Sequence, residues 1–149
     1  MVRASHRPAP WQRALVFGAG AVLLLTGIAW LALHYGRSAD ALPSPWEPWS
    51  MRLHGLAAFA ALFVLGALAA AHIPHGWRAS HRLRWARQRA SGIALCALAG
   101  ALVLTGYLLY YFAPDPVRPA LGWLHSGLGL TAAVAVAAHR HRSGRRAAR

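Results

Sequence analysis

Residues 53–74 read LHGLAAFAALFVLGALAAAHIP, seventeen uncharged and mostly apolar residues held between His54 and His72. With its flanking residues the run reaches the roughly 20 positions, at about 1.5 Å of rise each, that a helix needs to cross the hydrocarbon of a bilayer. Three further uncharged stretches lie outward from it: Ala14 to Leu33, Gly92 to Phe112, and Pro119 to Ala138 with His125 inside. Composition agrees, because 57% hydrophobic residues and three acids in 149 residues are not the make-up of a water-soluble domain. The chain therefore reads as one all-α membrane domain, an integral membrane four-helix bundle running up-down-up-down. Its spans are expected at about 13–35, 51–73, 91–112 and 119–140.

A net charge of +13 raises the prospect of nucleic-acid binding, but the placement of the charge argues for a membrane. Arg3, Arg7 and Arg13 precede the first span, Arg78, Arg82, Arg84, Arg87 and Arg89 lie between the second and third, and Arg140, Arg142, Arg145, Arg146 and Arg149 follow the fourth. The other two connections carry only Arg37, Arg52 and Arg118, together with every acid: Asp40, Glu47 and Asp115. This is the positive-inside pattern, with both termini cytoplasmic and no nucleic-acid partner expected. The basic tail also suits anionic lipid headgroups. Arginine without any lysine points to a GC-rich bacterial genome, hence to the bacterial cytoplasmic (inner) membrane. The first span is read as retained rather than as a signal peptide, because its apolar run exceeds the roughly 7 to 15 residues of a signal core. Cys96 stands alone in mid-span as a small hydrophobe.

Proline marks the connections. Pro43, Pro45 and Pro48 interrupt the first outer loop and Pro114, Pro116 and Pro119 the second, so neither segment is expected to continue a helix. Pro74 is expected to end or kink the second span just after His72. Trp46 and Trp49 outside, and Trp11, Trp77 and Trp85 inside, fall where an aromatic belt sits. The chain also repeats itself. Ala19-Gly20-Ala21 with Leu25-Thr26-Gly27 in the first span matches Ala99-Gly100-Ala101 with Leu104-Thr105-Gly106 in the third, and Leu53-His54 in the second matches Leu124-His125 in the fourth. Two similar helical hairpins follow.

An ionisable side chain within a span costs free energy and marks a site by default. Spans two and four run in the same direction, so His54 and His125 fall at one depth, and His72 and His139 at another. At 100° per residue the 18-residue step from His54 to His72 returns to one helix face, and the 14-residue step from His125 to His139 misses it by about 40°. Imidazoles in two depth-matched pairs suit axial ligation of one or two haem b groups. Ala58, Ala61, Gly129 and Ala132, one and two turns along from the outer histidines, are small enough to admit a macrocycle, although small residues also line ordinary helix contacts. His34 competes for the outer site and His75 for the inner one; His6, His81 and His141 belong to basic segments. A zinc site would want four convergent ligands, and a haem-free bundle with hydrogen-bonded histidines is the plain alternative.

The stretches Leu24-Leu25-Thr26-Gly27, Leu53-His54-Gly55, His72 to Arg78, Leu104-Thr105-Gly106-Tyr107 and Leu124-His125 resemble bacterial four-helix integral-membrane subunits related to b-type (diheme) cytochromes. That resemblance covers the whole chain. It implies histidines on two parallel helices ligating two haems, usually 14 residues apart on each helix, a spacing that His125 and His139 match. His54 departs from it, because Leu68 occupies the corresponding position. The function expected is one-electron transfer through bis-histidine haem, to or from quinone or a partner redox subunit, rather than enzymatic catalysis. Arg52 and Arg78 are candidate partners for haem propionates. The alternative is a haem-free membrane scaffold or assembly subunit.

Overall fold

The computed structural model describes residues 8–82 and 86–147. These form five helices: α1 (Pro10–Tyr35), α2 (Trp46–Ala70), α3 (His72–Arg82), α4 (Ala86–Tyr111) and α5 (Arg118–Ala147). The fold is all-α, and the long helices pack as antiparallel pairs, α1 with α2 and α4 with α5. The two helical hairpins expected from the repeat are therefore present, and each is described by itself. Within α1, α2, α4 and α5 lie four segments of 23 to 26 residues long and apolar enough to cross a membrane, the mark of a multi-pass membrane protein. Leu25, Phe59, Tyr110 and Val134 are among the large apolar side chains left exposed along them.

Proline shapes the helix starts differently from the sequence expectation. Pro10 opens α1, Pro48 lies in the first turn of α2, Pro74 in that of α3 and Pro119 in that of α5. The first four N–H groups of a helix have no partner within it, so a residue lacking one is tolerated there and its fixed φ favours the helix. Hence α2 begins at Trp46 rather than near 51, because Pro48 starts a helix instead of interrupting a loop. The break near Pro74 falls one residue earlier than expected. α2 ends at Ala70, Ala71 stands between the helices as a turn residue at φ −117° and ψ −59°, and His72 opens α3. The connection after α2 thus contains an eleven-residue helix, with Ile73 and Trp77 exposed one turn apart. α5 runs past residue 140 to Ala147, since alanine and arginine extend a helix readily beyond its apolar part.

Inside each hairpin the contact face repeats every three to four residues. Ser50, Ala57 and Val64 of α2 are buried in line with half-buried His54, Ala61 and Leu68, and Ala19 and Thr26 are buried on α1. Such a/d spacing is the seam of antiparallel helices packed at a shallow angle. Small residues along it let the backbones approach.

The ends are closed locally. Gln12 Oε1 accepts the Ala9 N–H at 2.9 Å, closing the start of α1. Arg118, at the start of α5, donates to Leu109 O at 3.1 Å and Ala113 O at 2.8 Å and so caps the end of α4. Arg118→Ala is expected to cost about 1 kcal/mol, the usual net worth of exposed hydrogen bonds of this kind. It should speed amide exchange at Phe112 and Ala113, whose N–H groups bond to Leu108 O; unchanged exchange there would show that the cap does not hold the turn.

Candidate functional site

His54 is the ninth residue of α2, where α2 passes the Leu-Thr-Gly step of α1. Thr26 Oγ1 lies 3.0 Å from His54 Nδ1. The same hydroxyl lies 2.6 Å from Val22 O and 3.2 Å from Leu23 O of its own helix. Gly27 sits under the imidazole edge: a Cβ added there would meet His54 Cε1 at 3.7 Å, an ordinary van der Waals distance.

The second hairpin repeats each part. His125 is the eighth residue of α5, and its Nδ1 lies 2.8 Å from Thr105 Oγ1 on α4. Thr105 Oγ1 is 2.7 Å from Ala101 O and 3.3 Å from Leu102 O. A Cβ on Gly106 would meet His125 Cε1 at 3.4 Å. Both threonines are buried and both histidines half-buried. α1 and α4 stay helical through Gly27 and Gly106, and these glycines lie beneath the rings. Because an added methyl touches without clashing, Gly27→Ala is expected to leave the hairpin intact and to raise its stability by up to about 1 kcal/mol through helix propensity. Thermal unfolding in detergent checks this, and a fall in midpoint would mean the ring is packed closer than described.

The register of each hairpin decides what happens at the other end. In the second, His139 Nδ1 lies 2.8 Å from Ser91 Oγ. Ser91 and Thr105 are 14 residues apart on α4, as His125 and His139 are on α5, so one antiparallel register makes both contacts. In the first, the corresponding steps from Thr26 and His54 reach Gln12 and Leu68. His72 stands beyond the end of α2, on α3. The same-face argument for His54 and His72 needs one continuous helix between them, and the break at Ala71 removes it.

The remaining candidates are accounted for one by one. His34 does not reach His54; its Nδ1 lies 3.1 Å from Glu47 Oε2, and its ring stacks on Trp30 with centroids 4.5 Å apart. Glu47 also accepts from Arg37 at 3.4 Å and from the Ser44 N–H at 3.4 Å. Read from the sequence as a loop acid, Glu47 is instead buried in the first turn of α2, where the helix N-terminus favours a carboxylate. His75 Nδ1 lies 2.8 Å from Ala71 O, closing the break between α2 and α3. Arg52 places its guanidinium 4.9 Å from the Trp49 ring centroid, and Arg78 is exposed on α3. His81, His141 and Cys96 are exposed; His6 and Trp85 lie outside the described residues. Among the described residues no three His, Cys, Asp or Glu side chains converge, so a four-ligand zinc site has no donor set there.

Sequence reading missed Thr26, Thr105, Ser91 and Glu47. The threonines were visible as part of the repeated Leu-Thr-Gly, but a hydroxyl in an apolar span usually bonds back to its own helix and signals nothing more.

What the geometry defines is a class: a multi-pass helical membrane protein with a threonine-held histidine at the matching point of two hairpins. Comparison with family models, with curated proteins and with solved structures finds no match to the chain.

Proposed function

We propose that the chain is a membrane-bound, b-type cytochrome-like protein that transfers electrons through haem b, with His54 and His125 as its candidate ligands. In this proposal both termini lie on the cytoplasmic side of a bacterial inner membrane. The observation that carries it is the duplication. Each hairpin fixes one imidazole by Nδ1, near the start of the helix that returns across the membrane. Nε2 is the other ring nitrogen in both, and an imidazole bound to a metal by one nitrogen is ordinarily held by the other. The donor set thus fits a bis-histidine haem.

Within that arrangement the chain's own residues have separable tasks. Thr26 and Thr105 orient the rings, Gly27 and Gly106 leave flat helix surface beneath them, and the apolar faces of the spans exclude water. A haem with two imidazole ligands supplies one-electron transfer without an open coordination position. Quinone or a partner redox subunit would supply or take the electron. One haem is proposed rather than two, because His72 does not share a helix with His54 and so provides no counterpart to His139.

A haem-free scaffold is the second reading, favoured by the fact that the threonine contacts also fasten helix to helix. The two are separated by purifying the full chain in detergent after expression with ample haem supply and recording a dithionite-reduced minus oxidised spectrum. Soret and alpha bands of b-type character are expected. Their absence would sink the cytochrome reading and leave the scaffold.

A further inference from the structure

We infer that Thr26 and Thr105 are positioning residues that accept the imidazole N–H from Nδ1, fixing both His54 and His125 as the tautomer whose Nε2 carries the lone pair. The inference rests on the proposed haem site only for what Nε2 then binds; the tautomer itself follows from counting protons.

A threonine hydroxyl has one proton and two lone pairs. Thr26 Oγ1 is 2.6 Å from Val22 O, and Thr105 Oγ1 is 2.7 Å from Ala101 O, both distances typical of a donated O–H···O bond. A carbonyl oxygen has no proton to give, so in each contact the hydroxyl is the donor. Were the hydroxyl proton turned toward the imidazole instead, two bare oxygens would face each other at these separations. The hydroxyl proton is therefore committed to its own helix, and the hydrogen shared with the histidine belongs to Nδ1. A neutral imidazole carries a single N–H, so Nε2 holds the lone pair. The same count applies independently in each hairpin.

Two consequences follow for a metal site. The rings are oriented before any metal arrives, which lowers the ordering cost of binding. Donation from Nδ1–H also raises the basicity of Nε2, which strengthens ligation and favours the oxidised iron of a bound haem.

The test is nitrogen-15 NMR of the full-length protein labelled at histidine, in detergent or bilayers without added haem, with signals assigned by their loss in His54→Gln and His125→Gln. At both residues Nδ1 is expected to appear protonated and Nε2 unprotonated. Thr26→Ser and Thr105→Ser should keep that pattern, and Thr26→Val and Thr105→Val should lose it at the facing histidine. A protonated Nε2 in the unmodified protein, or an unchanged pattern in the valine variants, would overturn the inference. In haem-loaded protein each valine variant should lose about 10- to 100-fold in haem affinity and shift the midpoint potential upward, with serine restoring both. Should the tautomers appear as expected while no haem spectrum is found, the inference stands and the cytochrome proposal fails.

Discussion

If the proposed haem is bound, His125→Ala is expected to strip it from the purified protein, whereas His141→Ala should leave haem content unchanged. The two residues are on the same helix, and their surroundings set them apart. His125 is half-buried and held by Thr105 at 2.8 Å, while His141 is exposed beyond the apolar part of α5. If His125 ligates the proposed haem, its removal takes away one of the ligands that hold the iron, so the effect should be near-complete loss rather than weakening. Pyridine haemochrome analysis of both variants measures it. Full haem in His125→Ala would refute the ligand assignment, and His54→Ala should behave as His125→Ala does.

The second large effect concerns packing. Ala57→Leu is expected to destabilise the first hairpin by about 1 to 3 kcal/mol, the usual cost of forcing added methylenes into a packed seam. Ala57 is 8% exposed, three residues along the contact face from His54, whereas its neighbour Leu56 is 68% exposed. Leu56→Ala, although it changes the same number of heavy atoms, should change thermal stability in detergent by less than about 0.5 kcal/mol. The overpacked variant should also weaken the Thr26–His54 contact, because it pushes α2 away from α1. Equal effects of the two substitutions would mean that α2 does not meet α1 along the face of Ala57 and Val64.

Legibility in the sequence followed the range of the physics involved. The four spans were readable because each is a continuous apolar run whose length alone answers the question. Their ends were less so: Pro48 and Pro119 look like loop residues, yet the first turn of a helix is where proline does least harm. The break at Ala71 arises just before Pro74, in a run of alanines that carries no mark of its own. The histidines stood out because they are costly in an apolar setting. Their partners did not, since Thr26 precedes His54 by 28 residues and Thr105 precedes His125 by 20, and no local pattern links them. Glu47 was hidden similarly: its burial depends on His34 and Arg37 returning across the connection at 36–45.

Each threonine contact is closed inside a single hairpin, and this bears on the order in which the protein is made. Once α2 has left the ribosome, Thr26 and His54 can meet while α4 and α5 have yet to be synthesised. A translocon that releases helices in pairs would thus deliver two half-molecules, each with its imidazole already aimed. Each hairpin is therefore expected to form its own threonine–histidine contact as soon as its second helix is made, independently of the other.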